Sequence, residues 1–145
     1  YSIDFIVPPG AAGTLTVVDG EGAKVATATL TVLRPVYAVA PVEDAAYTVG
    51  TTPEGIKTMS VNADVTGFKY FTVSIEPEIP HGGSETAVFT HLRDGMQLEL
   101  NAVRADLDQA DAAQAGFNVQ PGDVIKVFVV DELSNAPDHN PMILQ

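Results

Sequence analysis

The sequence predicts an all-β protein in which two antiparallel sheets pack face to face. Three observations point to this fold. Apolar residues recur at every second position, the segments that show this pattern are too short for typical helices, and Gly, Pro and Asp residues close them. Since turns recur at intervals of roughly 8–12 residues, we expect roughly seven to nine strands and at most one short helix.

Each predicted strand combines β-branched or aromatic residues with a turn-forming boundary. The predicted strands are residues 14–19, 23–33, 36–42, 46–49, 56–65, 68–75, 86–91, 96–103 and 124–130, and Phe117 and Val119 lead through the turn 120–123 into the last of them. The turn Arg93-Asp94-Gly95 between two alternating runs predicts a tight hairpin. Residues 124–130 form the most apolar run, which is typical of a central buried strand. Strand number, spacing and turns together favour an immunoglobulin-like sandwich.

One segment, residues 104–115, has a composition that is also compatible with a helix. It is rich in Ala, Asp and Gln, and its helix propensity is fair, but Leu107 is its one large apolar side chain. We therefore expect either a single short helix or a structured loop between two strands.

The charge balance restricts the classes of partner. The chain has 7 basic and 19 acidic residues, for a formal net charge of −12. Such a surface repels phosphate backbones and anionic lipids, so we expect neither nucleic-acid binding nor membrane insertion. The absence of cysteine excludes disulfides, zinc–thiolate centres and thiol nucleophiles, and it is compatible with an exported domain.

The length of 145 residues exceeds the roughly 100 residues that a single sandwich needs. We therefore divide the chain into an N-terminal hairpin, residues 1–35, and a sandwich domain, residues 36–145. The hairpin has three possible meanings. It supplies integral strands, it is a remnant of a preceding domain, or it is a donor segment for strand addition to another copy.

A family resemblance extends over the C-terminal part of the chain, from about residue 55 to residue 145. The segments that carry it are Phe68–Val73, Glu85–Asn101 and Ala115–Asn135, with the run Gly122–Asp131 and the pair Asn140-Pro141 most prominent. These segments resemble Ig-like domains of Gram-positive surface and surface-layer (S-layer) proteins. The resemblance implies a structural or adhesive module on the bacterial cell surface, with no active site to carry over.

Acidic residues are the first candidate site. Asp106, Asp108 and Asp111 lie close together in sequence, and Asp131, Glu132 and Asp138 form a second group. Calcium requires six to eight oxygen ligands, and clustered carboxylates can provide several of them. We therefore consider a calcium site at Asp106, Asp108 and Asp111, although the spacing is not that of an EF-hand. The alternative is a solvated acidic loop.

Other constellations are weaker. His81, His91 and His139 lack the spacing of metal ligands and read as scattered polar residues. Glu76 and Glu78 are the nearest approach to a catalytic carboxylate pair, and no nucleophile motif accompanies them, so we do not expect an enzyme.

Two further possibilities concern surface residues. A carbohydrate-binding module would use aromatic platforms, and we consider Tyr37 and Tyr47 together with the loops 77–85 and 104–115. Lys69 and Lys126 lie in apolar strands. They either point outward, or one of them forms a Lys–Asn crosslink with Asn101 or Asn118.

The function that these observations predict is that of a non-catalytic structural or assembly module in an extracellular, surface-layer or cell-wall-associated bacterial protein. Its partners would be copies of itself or neighbouring domains, with cell-wall glycan as a further candidate and calcium as the one candidate cofactor. The alternatives are an adhesin or carbohydrate-binding module, and a pilin-like subunit that polymerises through residues 1–34.

Overall fold

The computed structural model describes residues 12–31 and 35–145. Every regular element within these ranges is a strand, which confirms the all-β prediction. The strands are β1 (Ala12–Val18), β2 (Lys24–Thr31), β3 (Tyr37–Pro41), β4 (Tyr47–Thr51), β5 (Lys57–Val61), β6 (Gly67–Pro77), β7 (Glu85–Arg93), β8 (Met96–Ala105), β9 (Ala112–Val119) and β10 (Val124–Val130). The described part of the chain offers no helix long and apolar enough to cross a membrane.

The chain divides into two compact units, residues 1–34 and residues 35–145. In the first unit β1 and β2 form an antiparallel hairpin, a two-stranded sheet. The Asp19 carboxylate stabilises its turn by accepting hydrogen bonds from the backbone N–H groups of Glu21 and Ala23 at 3.0 and 2.8 Å. The rest of the predicted N-terminal segment, 1–11 and 32–34, lies outside the described residues, and the three interpretations of the hairpin stay predictions.

The second unit is a sandwich of two antiparallel sheets. One sheet has the strand order β4-β5-β10-β7-β8, and the other has the order β3-β6-β9. In chain order, β3-β6-β9 corresponds to strands A, B and E of an immunoglobulin-type sandwich, and β10-β7-β8 corresponds to F, C and C′. The hairpin β4–β5 is inserted between the equivalents of A and B and pairs with β10, where strand G would lie.

A single apolar core joins the two sheets of this unit. Tyr47 of the larger sheet stacks on Phe71 of the smaller sheet, with ring centroids 5.2 Å apart. Phe71 in turn packs against Phe117, and the ring of Phe117 lies beside His91 of the larger sheet. As predicted, the apolar run Val124–Val130 is central, since β10 lies between β5 and β7.

The Asp-Gly turn forms the hairpin that the sequence predicts. Asp94 and Gly95 have φ angles of 51° and 77°, which lie in the left-handed region that Gly and Asp tolerate better than other residues. Near this turn the register between β7 and β8 shifts after His91, so that Leu98 is an extra residue in β8.

Two predicted boundaries are wrong. Of the two alternatives for the segment 104–115, the loop between two strands is correct, but it is shorter than predicted: β8 continues to Ala105, a turn follows, and β9 begins at Ala112. Alanine alternates inward in β9, where Ala113 and Ala115 are buried, because the core at these positions takes small side chains. Strand β5 ends at Val61, since residues 62–65 form a turn closed by a bond from Val65 N–H to the Asn62 carbonyl.

Residues 141–145, here called the C-terminal strap, close one margin of the sandwich. The Leu144 side chain is buried in the core. Its carbonyl accepts hydrogen bonds from the N–H groups of Val36 and Tyr37, and its N–H donates to the Val129 carbonyl at 2.8 Å. The strap therefore bridges the start of β3 in one sheet and the end of β10 in the other.

Candidate functional site

Strand β7 carries the most unusual set of buried side chains. The residues that face the core are Glu85, Ala87, Phe89 and His91, and all four are at most 1 % exposed. A charged or titratable side chain thus occupies each end of a strand whose middle is apolar. Burial of such groups is unfavourable unless they are paired, so their partners identify the candidate sites.

At the first end, Glu85 ties two loops together. Its Oε1 atom is bonded to Nδ1 of His81 in the β6–β7 loop. Its Oε2 atom accepts a hydrogen bond of 3.1 Å from the N–H of Leu107 in the β8–β9 loop. The structure therefore brings together the loops 77–85 and 104–115, which the sequence proposed as binding loops.

Tyr37 and Asp108 add a second tie at the same end. The Tyr37 hydroxyl donates to Oδ1 of Asp108 at 2.6 Å, and the His81 N–H donates to Oδ2 at 2.8 Å. Burial raises the pKa of the Tyr37 hydroxyl, and the hydrogen bond to Asp108 raises it further. The same hydrogen bond lowers the pKa of Asp108. We call Tyr37, His81, Glu85 and Asp108 the loop clasp.

At the other end of β7, the carboxylate of Asp123 organises a second group, which we call the turn clasp. Asp123 Oδ2 lies 2.7 Å from Nε2 of His91, and Arg93 donates to both oxygens at 2.8 Å. The N–H of Gln120 also donates to Oδ2, at 2.9 Å. The Arg93 guanidinium is the main reason that the pKa of Asp123 lies well below its usual range. His91 Nδ1 faces Glu99 at 3.3 Å.

The residues proposed for calcium do not converge in the structure. Asp108 uses both oxygens within the loop clasp, and Asp106 Oδ1 accepts the Asp108 N–H at 3.1 Å. Asp111 is exposed and contributes its carbonyl to the N–H of Ile75. Across the described ranges no three acidic or histidine side chains come together as a metal would require. The calcium site stays a prediction that this geometry does not favour.

The second acidic group has a different role. Asp131 Oδ1 accepts the N–H of Met142 at 2.8 Å and thereby holds the C-terminal strap, and this bond lowers the pKa of Asp131. Glu132 and Asp138 are exposed.

The three histidines occupy separate environments, in line with the sequence interpretation. His81 belongs to the loop clasp and His91 to the turn clasp. His139 lies in the C-terminal segment, with Nε2 at 3.2 Å from the Glu132 carbonyl. Glu76 and Glu78, the weak catalytic candidates, are both exposed.

The prediction that Tyr37 and Tyr47 form glycan platforms is wrong. Tyr37 and Tyr47 are 1 % and 5 % exposed, because both rings fill the core. Among the described residues, the exposed aromatic ones are Phe68 and Tyr70, at 58 % and 61 %, on the outer face of β6. The sequence reasoning passed over them, although their alternation with buried Phe71 could have identified them.

The strand register argues against two of the proposed Lys–Asn crosslinks. Lys126 is paired with Thr90, whereas Asn101 is paired with Phe89, so their side chains lie on opposite faces of the larger sheet. Likewise Lys69 is paired with Phe117, whereas Asn118 is paired with Phe68, which separates them across the smaller sheet.

Comparisons with family models, curated proteins and solved structures found no match. The resemblance to surface-layer Ig-like domains therefore stays a prediction.

Proposed function

We propose that the chain is a non-catalytic structural module of an extracellular bacterial surface-layer or cell-wall-associated protein. The observation that carries this proposal is that the buried carboxylates hold strands and loops together. Glu85 does so at one end of β7 and Asp123 at the other. Groups engaged in this way add rigidity to the sandwich.

The hydrogen bonding of the buried polar side chains supports a structural role. Among the described residues, every buried side-chain nitrogen or oxygen has a hydrogen-bond partner. Fully satisfied buried networks stabilise a single conformation of a core. A catalytic base or nucleophile, in contrast, has to point at a space that a substrate can enter.

Composition supports the extracellular location. The chain lacks cysteine, so its stability is independent of the redox state of its surroundings. Its net charge of −12 keeps individual copies soluble at high local concentration. Its partners in this proposal are neighbouring domains or further copies of the same surface protein.

Labelling of intact cells tests this proposal. Antibodies raised against residues 35–145 should label unpermeabilised cells of the organism that encodes the chain, and protease added to such cells should remove the signal. A signal that appears only after permeabilisation would contradict the proposal. An antibody against a cytoplasmic protein provides the control for cell integrity.

Deletion of residues 1–34 separates this proposal from the pilin-like alternative. In a structural module, the remaining sandwich should keep its melting temperature and its oligomeric state in sedimentation velocity. If the full chain forms filaments and the deletion abolishes them, the N-terminal segment is a donor and the pilin-like interpretation is correct.

A further inference from the structure

The two sheets of the sandwich meet at a seam between β8 and β9. Along part of this seam, Asn101 Nδ2 donates a hydrogen bond of 3.0 Å to the Gly116 carbonyl and joins the strands. Beside this hydrogen bond the surface has a cavity of about 440 Å³, which we call the seam groove. Besides Phe117 it is lined by Phe68, Glu99, Leu100, Asn101, Gly116 and Asn118.

An exposed aromatic ring forms one wall of the seam groove. Phe68 packs edge-to-face against Tyr70, with ring centroids 5.2 Å apart and planes at 90°. The tip of the Phe68 ring lies directly over Gly116, where an added methyl group would overlap Cζ and lie 2.9 Å from Cε1. The absence of a side chain at Gly116 therefore leaves the space that the Phe68 ring occupies, and the ring forms this wall without a bound ligand.

Polar side chains line the rest of the seam groove. Glu99 and Asn118 are exposed, and Asn101 donates through Nδ2, so its Oδ1 can still accept a hydrogen bond. The groove thus presents carboxylate and amide acceptors together with amide donors. Hydroxyl groups, which both donate and accept, match this mixture better than purely apolar groups do.

We propose that the seam groove binds a neutral saccharide. The C–H face of a sugar ring would stack on Phe68, while sugar hydroxyls would bond to Glu99, Asn101 and Asn118. Glu99 and the net charge of −12 disfavour uronic, sialic or phosphorylated sugars. The volume lies within the range of roughly 300–1,000 Å³ that is usual for small-ligand sites.

Strand pairing with a second copy is the main competing use of this edge, and the structure disfavours it. The extra residue Leu98 interrupts the ladder of β8, and bulges of this kind protect sheet edges. Farther along the strand, the Asn101–Gly116 bond joins β8 to β9, where an added strand would have to lie. The saccharide proposal does not depend on the proposed structural role.

An array of neutral, N-acetylated and acidic oligosaccharides, probed with the labelled full chain, tests the proposal. Binding to neutral or N-acetylated members and none to acidic members is expected. Phe68→Ala should weaken that binding by about tenfold or more, and Phe68→Tyr should retain it. Leu133→Ala, at an exposed position outside the groove, provides the control.

Gly116→Ala probes the geometry of the groove without deleting any group that would bind. Its methyl group should displace the Phe68 ring and reduce binding as much as Phe68→Ala does, while the circular-dichroism melting curve stays cooperative. Absence of binding to every neutral saccharide would overturn the proposal. So would binding that survives both substitutions, or self-association of the chain that Phe68→Ala abolishes. Cell-surface labelling is a separate readout, so either proposal can fail alone.

Discussion

His91 and Asp123 lie 2.7 Å apart, Nε2 to Oδ2, and each is 1 % exposed. His91 lies in β7, and Asp123 lies in the turn directly before β10, the strand in which Ile125 is paired with His91. Arg93 completes the group by binding both carboxylate oxygens. A carboxylate in the core is thus surrounded by donors, and its removal leaves them without an acceptor.

Asp123→Asn should therefore destabilise the sandwich strongly. The amide has no charge and only one acceptor oxygen, so the two-oxygen pairing with Arg93 is lost and the amide NH2 group is placed against a donor. Loss of one member of a buried ion pair costs about 3 kcal/mol. Urea unfolding at pH 7 measures this change in the free energy of unfolding. Asp138→Asn, at an exposed position, should change it by less than about 0.5 kcal/mol, and equal effects of the two substitutions would contradict the assignment.

The contribution of Asp123 to stability should depend on pH. The pKa of Asp123 is lower in the folded protein than the value of about 3.9 expected after unfolding. Its contribution to stability is therefore fully present above that unfolded value and is lost as the pH falls through the folded pKa. The difference in free energy of unfolding between the wild type and Asp123→Asn should be constant from pH 7 to 5 and shrink below pH 4. A difference that stays constant down to pH 2 would argue against the assignment.

Tyr37→Phe should destabilise the loop clasp. The substitution removes the hydroxyl that donates to Asp108 but keeps the buried ring. The melting temperature should fall by about 4 to 8 °C. Tyr70→Phe, on the exposed face of β6, is the matched control and should leave the melting temperature unchanged.

An alkaline series checks Tyr37 independently. Because the folded pKa of Tyr37 is raised, its contribution is complete below the unfolded value of about 10 and is lost as the pH rises through the folded pKa. The stability difference between the wild type and Tyr37→Phe should therefore decline above pH 10. If it increases there, the hydroxyl is not in the environment described.

The C-terminal strap offers a comparison between two neighbouring residues. Leu144 is buried in the core, whereas Ile143 is 51 % exposed. Leu144→Ala should cost about 3 kcal/mol in the free energy of unfolding, because it leaves a cavity beside the ends of both sheets. Ile143→Ala should cost much less. Similar losses in urea unfolding for both variants would show that Leu144 does not anchor the strap.

The local pattern of the sequence determined the strands and several turns. Residues 124–130 were predicted as a central strand because every residue but Lys126 is apolar, and β10 has that position. The Asp94-Gly95 hairpin was predictable because left-handed backbone angles restrict the choice of residue at these positions. Strand β9 was missed because its inward-facing residues Ala113 and Ala115 also have high helix propensity.

Tertiary structure alone decided which polar residues are buried. Nothing near Glu85 in sequence marks it as a core residue, and its partner Leu107 lies 22 residues away. Asp123 and His91 are separated by 32 residues. The alternation of side chains between the two faces of a strand is a local property, so it can be predicted from the sequence. The pairing of buried charges depends on which strands become adjacent and in which register, and only the assembly of the sheets decides that.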